Sequence, residues 1–130
     1  GARRSVLVVD DDAATREMLR RTMEGEGWSV SEARNGRAAL EGMGEQRPDL
    51  VVLDLMMPEM DGFEFLEALR AGDRSLAVPV VVLTAKDLTE EDRRRLNGGV
   101  ARVIEKGAAG IDEVLAVVRS HVGARAPASR

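Results

Sequence analysis

The sequence predicts an α/β domain built around a parallel sheet of five strands. Three observations lead to this prediction: short apolar runs rich in valine recur along the chain, helical patterns separate them, and polar residues follow directly where several runs end. Such runs are typical of strands buried on both faces of a sheet, and their alternation with helices is typical of consecutive βα units. With 130 residues, of which 44% are hydrophobic, the chain is long enough for one domain.

The first strand is the run Val6–Val9, and Asp12 follows it in a position to cap a helix. We expect Gly25 and Gly27 to end this helix. The residues that its periodicity turns toward the sheet are Ala14, Met18, Leu19 and Met23.

Two more strands follow, with a short helix between them. The segment 28–31 alternates in polarity, which predicts a strand at the edge of the sheet. The helix covers 36–40 and is expected to fade at Gly42 and Gly44. The third strand is the apolar run 50–53.

Asp61 and Glu64 have the spacing of a capping box and predict a third helix, which Gly72 closes. The fourth strand is Val80–Leu83.

Thr89 is predicted to cap a fourth helix that ends at the glycines 98–99, and the fifth strand is the segment 100–104. The last helix carries one apolar stripe, formed by Ile111, Val114, Leu115, Val118 and Val122. We therefore predict a domain over residues 4–122 and a flexible C-terminal tail or linker over 123–130.

Reactive side chains follow four of the five strands. Asp10 and Asp11 follow the first, Asp54 the third, Thr84 the fourth, and Lys106 comes shortly after the fifth. Open α/β sheets place their functional sites at these strand ends. Mg²⁺ binds carboxylate oxygens, and three crowded acids without a cation would raise at least one pKa. The acids therefore predict a magnesium site.

Four segments, taken in order, resemble the receiver domain of two-component response regulators. These are Val8–Asp12, Leu53–Gly62, Val82–Ala85 and Lys106, of which Leu53–Gly62 is the most specific. The resemblance covers roughly residues 5–122. It implies a three-layer, doubly wound, flavodoxin-like sheet with strand order 2-1-3-4-5.

The resemblance implies a phosphoacceptor signalling switch in a two-component phosphorelay. Asp54 would accept a phosphoryl group from a phosphohistidine, while Thr84 and Lys106 would each bind a phosphoryl oxygen. The implied ligands of the Mg²⁺ cofactor are Asp11, Asp54 and the backbone carbonyl of Met56, with Asp10 acting largely through water. The domain would catalyse only its own phosphorylation and dephosphorylation.

Two positions depart from the family pattern. Gly107 follows Lys106 where the family usually has proline, so the lysine loop is less constrained. Val103 stands where the family often has an aromatic ring that turns inward on phosphorylation. Because valine has no such ring, the implied switch of Thr84, Val103 and Lys106 lacks its usual aromatic readout. The segments 96–99 and 105–108 are similar to receivers of hybrid sensor histidine kinases.

The implied partner is a sensor histidine kinase or a histidine phosphotransfer protein, and a phosphorylation-dependent dimer is a further expectation. A net charge of -4 and only three aromatic residues argue against nucleic-acid binding by this domain. The chain has no cysteine and no apolar run near the roughly 20 residues that span a bilayer, so we expect a cytoplasmic location without membrane contact. Because residue 1 is glycine, we expect a longer parent protein.

Two alternatives remain open at this point. Asp10-x-Asp12 and Thr84 partly match the motifs of an aspartate-nucleophile phosphohydrolase of the haloacid dehalogenase type, but Ala14 stands where threonine or valine would be expected. The other is a receiver-like interaction module that works without phosphorylation. The complete set of acids, threonine and lysine argues against that module.

Overall fold

The computed structural model describes residues 4–72, 78–96, 100, 102–107 and 110–125, with side chains up to residue 120. Strands and helices alternate along the chain as predicted. They are β1 Ser5–Val9, α1 Ala13–Gly25, β2 Ser29–Ala33, α2 Gly36–Glu45, β3 Leu50–Leu53, α3 Gly62–Ala71, β4 Val80–Thr84, α4 Glu90–Leu96, β5 Arg102–Glu105 and α5 Gly110–Arg125. The five strands pair in parallel in the order β2-β1-β3-β4-β5, which confirms the predicted sheet.

Alternate side chains of the strands fill two cores, one on each face of the sheet. One core joins Val9 and Val51 to Phe65 of α3 and Leu96 of α4. The other core packs the opposite face of the strands against α1 and α5, through Leu19, Met23, Val114 and Val118. The β1, β3 and β4 runs are apolar throughout because both of their faces are covered. β2 lies at the edge, as predicted, and it covers Ser29–Ala33, where polarity alternates only from Ser29 to Ser31.

Two expectations about helices were wrong. Ala14 and Met18 are exposed, with 52% of Met18 open to solvent, because the inward stripe of α1 consists of Leu19 and Met23. α2 does not fade at its glycines but continues to Glu45. The packing of its apolar face against the core outweighs the weak helix propensity of glycine.

Some boundaries fall beside residues outside the described part of the chain. Residues 97–99 and 101 lie outside it, and so does the predicted end of α4. α5 continues to Arg125 and includes the first three residues of the segment assigned to the tail. The domain boundary stays a prediction. Among the described residues, no helix is long and apolar enough to cross a membrane.

The loop between β3 and α3 closes through a tight approach at Gly62. Asp61 and Glu64 form the predicted capping box, with reciprocal hydrogen bonds of 2.9 and 3.0 Å. The Gly62 amide donates to the carbonyl oxygen of Leu55 at 3.1 Å, and a β-carbon at this position would lie 2.5 Å from the carbonyl oxygen of Asp54. Glycine therefore lets α3 begin directly beside the end of β3.

We predict that Gly62→Ala lowers the free energy of unfolding by about 1–3 kcal/mol, because the added methyl group displaces the backbone at Asp54. Gly42→Ala is the matched control, since a β-carbon there meets nothing within 4 Å. It should raise stability by about 0.5–1 kcal/mol through helix propensity. Urea unfolding followed by the fluorescence of buried Trp28 measures both changes. A Gly62→Ala domain as stable as Gly42→Ala would contradict this account.

Candidate functional site

Three carboxylates meet at the C-terminal edge of the sheet. β1 and β3 are neighbours, and the Asp54 amide donates to the carbonyl oxygen of Val9 at 2.9 Å, so the residues after both strands lie side by side. Asp10 and Asp54 are 2% and 4% exposed, whereas Asp11 is exposed. Carboxylate oxygens of Asp10, Asp11 and Asp54 lie within 4.8 Å of one another. The structure thus brings together the three acids predicted from the sequence.

Lys106 lies across this cluster. Its Nζ is 2.9 Å from Oδ2 of Asp10 and 3.6 Å from Oδ2 of Asp54. The Lys106 amide donates to the carbonyl oxygen of Thr84 at 2.8 Å, which continues the pairing of β5 with β4 and holds the lysine at the same sheet edge. The ammonium partly neutralises the two buried acids.

Burial and the charges of the cluster together shift two pKa values. Burial and the charge of Asp10 raise the pKa of Asp54, while the Lys106 charge and the hydrogen bonds from the Met56 amide and the Thr84 hydroxyl oppose the increase. Burial lowers the pKa of Lys106, but its hydrogen bond with Asp10 and the surrounding carboxylates outweigh burial and raise it. The site therefore favours a charged lysine and penalises an ionised Asp54.

Thr84 connects the cluster to α4. It is fully buried, its hydroxyl bonds the Asp54 carboxylate, and its Oγ1 accepts a hydrogen bond from the Lys86 amide at 3.2 Å. Lys86 Nζ lies 2.9 Å from Oδ2 of Asp92, which also accepts from the Thr89 amide at 3.1 Å. The Asp92 amide donates back to Oγ1 of Thr89 at 3.0 Å, which agrees with the predicted cap.

The pair of Lys86 and Asp92 was not predicted from the sequence. The sequence does carry a signal for the position of Asp92. Asp92 follows Thr89 by three residues, which is the spacing of a capping box, so its carboxylate is expected at the start of α4.

The remaining predicted residues lie around this centre. The side chain of Met56 is 53% exposed, and its amide donates to Oδ1 of Asp54 at 3.3 Å. Val103 lies in β5, half-buried against the core on the α3 and α4 face. Gly107 is exposed, and a β-carbon there would meet nothing within 4 Å. Steric contact therefore does not explain glycine after the lysine.

The donor set fits a hard divalent cation. Mg²⁺ is bound in proteins by one or two carboxylates together with water, and the cluster offers two buried acids and one exposed acid. A cation bound there would relieve the repulsion between Asp10 and Asp54 that contributes to the raised pKa of Asp54.

Comparisons with known proteins agree with this geometry. The family model of the response regulator receiver domain matches residues 6–119. The response regulator MprA of Mycolicibacterium vanbaalenii is 44% identical over 115 residues, which is 88% of this chain and 48% of that protein. The chain thus spans about half the length of the curated relatives it matches.

Solved structures give the same result. The receiver domain of the Francisella response regulator 1452 is 32% identical with a TM-score of 0.78, covering 89% of this chain and 93% of that one. The receiver domain of a signal transduction histidine kinase from Syntrophus aciditrophicus is also 32% identical, with a TM-score of 0.74 and coverages of 92% and 86%.

We predict that Asp54→Asn stabilises the domain in the presence of chelator at neutral pH, because the amide removes a carboxylate whose ionised form is disfavoured in the folded state. The folded-state pKa of Asp54 is raised, so stability is lost as the pH rises above the ordinary aspartate value and Asp54 ionises. The gain should disappear at a pH below about 3.9, where the parent is protonated in both states. Urea unfolding across this pH range measures the difference.

The opposite sign is expected for Asp92→Asn. Hydrogen bonds from Lys86 and Thr89 lower the pKa of Asp92, so its stabilisation is present above the ordinary aspartate pKa and is lost as the pH falls. The variant should be less stable than the parent at neutral pH and converge with it in acid. If both substitutions changed the free energy of unfolding in the same direction at neutral pH, the opposite pKa shifts of Asp54 and Asp92 would be contradicted.

Proposed function

This chain belongs to the response regulator receiver domain family, and we propose that it acts as a phosphoacceptor switch with Asp54 as the acceptor. One observation carries the proposal: Asp54 is a nearly buried carboxylate that meets two further acids, the Lys106 ammonium and the Thr84 hydroxyl. Acids, a cation and a hydroxyl around one nucleophile are the groups that phosphoryl transfer requires.

In the proposed reaction, a carboxylate oxygen of Asp54 forms a bond to phosphorus while the bond from phosphorus to the imidazole nitrogen of a phosphohistidine breaks. The nitrogen leaves with the bonding electron pair, and the imidazole departs neutral when its other ring nitrogen carries a proton. The product is an acyl phosphate on Asp54. Lys106 and Thr84 orient the phosphoryl oxygens, and their donors face the acceptor before transfer begins.

Asp10, Asp11, Asp54 and the backbone carbonyl of Met56 would hold Mg²⁺, which when bound neutralises charge on the phosphoryl oxygens. Asp10 is already paired with Lys106 at 2.9 Å, which suits a role in water-mediated binding. Asp11 is exposed and suits direct contact with an incoming cation.

The conformational readout would start at Thr84. If its hydroxyl turns to the phosphoryl group, the bond that Oγ1 accepts from the Lys86 amide must change. Lys86 is tied to α4 through Asp92, so a displacement of this loop reaches the start of that helix. Val103 supplies no aromatic ring, and this polar connection takes the place of the usual readout.

The phosphoryl donor would be a sensor histidine kinase or a histidine phosphotransfer protein. Dimerisation on phosphorylation, the lack of nucleic-acid binding by this domain and a cytoplasmic location stay predictions. An origin in a hybrid kinase is not supported, because the curated relative described above, MprA, is a response regulator. The comparisons give no support to the phosphohydrolase or to the phosphorylation-independent module.

We predict that acetyl phosphate or phosphoramidate phosphorylates Asp54 alone and only with Mg²⁺. Mass spectrometry after reductive trapping locates the adduct. Asp61→Ala is the matched control, because Asp61 lies in the same loop region but caps α3. It should be labelled like the parent, whereas Asp54→Ala should not be labelled. A trapped adduct in Asp54→Ala, or equal labelling in excess chelator, would contradict the proposal.

A second prediction concerns the readout. The phosphoryl group adds about -1.5 to -2 charges, and the Lys106 ammonium lies 3.6 Å from the Asp54 carboxylate that would carry it. Lys106→Ala should still accept phosphate but show amide chemical-shift changes in β4, β5 and the start of α4 reduced to less than about half of the parent's, because one hydrogen bond supplies only about 1 kcal/mol. Arg21→Ala, at an exposed pair on α1, is the control. Undiminished shift changes in Lys106→Ala would refute this role.

A further inference from the structure

We infer that Arg16 is a positioning residue for the acidic site. Its side chain is 18% exposed and makes two hydrogen bonds at once. Nη1 donates to the backbone carbonyl oxygen of Asp10 at 2.6 Å, and Nε donates to Oε1 of Glu32 at 3.0 Å. The guanidinium therefore joins α1, β2 and the end of β1 at a single point.

Glu32 fixes the direction of this guanidinium. It lies on β2 opposite Val8 of β1, and its second carboxylate oxygen pairs with Arg20 one turn further along α1. A planar guanidinium held at Nε presents its remaining donors in a fixed direction. Glu32 pairs with both Arg16 and Arg20, so it offsets only part of their positive charge.

The bond to Asp10 acts on the peptide group between Asp10 and Asp11. Because that group is planar, fixing its carbonyl oxygen fixes the direction in which the chain enters Asp11. The Asp10 amide is held by the Ala33 carbonyl at 3.0 Å, and Oδ1 of Asp10 accepts from the Asp12 amide at 2.8 Å. Arg16 adds a charge-assisted hydrogen bond to the Asp10 carbonyl, which belongs to the peptide group that connects Asp10 to Asp11. Asp11 is the exposed acid of the cluster.

Orientation and charge predict opposite effects of removing Arg16. A positive charge close to the acids repels a cation, so electrostatics alone predicts tighter Mg²⁺ binding without it. If Arg16 positions Asp10 and Asp11, its loss instead weakens Mg²⁺ binding. Partners that orient metal ligands typically contribute about 10- to 100-fold to metal affinity.

The experiment measures Mg²⁺ affinity of the unphosphorylated domain by calorimetric titration with MgCl₂. Arg16→Met should bind roughly tenfold more weakly than the parent. Arg20→Met is the matched control, because Arg20 pairs with the same carboxylate from the same helix. Arg20→Met also removes one positive charge, and it should change the Mg²⁺ affinity less than about twofold in either direction. Trp28 fluorescence in urea verifies that each variant is folded.

Arg16→Lys keeps the positive charge, and it is the variant to titrate if Arg16→Met does not fold. An ammonium lacks the fixed fork that Glu32 orients, so this variant should also bind Mg²⁺ several-fold more weakly. Unchanged affinity in Arg16→Lys, or unchanged or tighter binding in Arg16→Met, would overturn the inference. The inference rests on the proposed function for the identity of the cation. A parent domain that binds no Mg²⁺ would refute that function, whereas a binding parent with unaffected variants refutes only the role of Arg16.

Discussion

Asp10 and Asp54 are buried side by side at the ends of two adjacent strands, and their repulsion must be balanced by other charges. Lys106 provides part of this balance, because its Nζ lies within 3.6 Å of both carboxylates. Burial and the repulsion that remains between the two acids together raise the pKa of Asp54. A parallel sheet creates the problem, since it places the ends of β1, β3, β4 and β5 at one edge. The same repulsion makes the site receptive to a divalent cation.

The groups that balance this charge also connect the site to the rest of the domain. Thr84 bonds Asp54 and, through the Lys86 loop, is linked to α4, while Arg16 links the Asp10 carbonyl to β2. Shifting the ratio of active to inactive conformation from 1:99 to 99:1 requires a ligand or modification to favour the active one by about 5.5 kcal/mol. A typical hydrogen bond contributes only about 1 kcal/mol. A response of this size therefore needs several of these contacts, with the charged ones contributing most.

The sequence predicted the strands, their order of appearance and the acids at their ends, because buried parallel strands are continuous apolar runs and end abruptly. The inward position of Met18 and the early end of α2 were wrong, since tertiary packing decides which face of a helix is buried and whether glycines are tolerated. The contacts of Lys86 and Arg16 were also missed. Long side chains reach partners that sequence spacing does not identify. Arg16 of α1, for example, bonds Glu32 of β2.

The Asp54 carboxylate is held where its ionised form is disfavoured, and a bound cation would relieve this penalty. Selective ¹³C labelling of aspartate allows NMR titration of the Asp54 carboxyl carbon with pH, in chelator and at saturating Mg²⁺. We predict a pKa of Asp54 above the ordinary aspartate value of about 3.9 in chelator, and a clear decrease when Mg²⁺ is bound. An ordinary pKa that is unaffected by Mg²⁺ would contradict it.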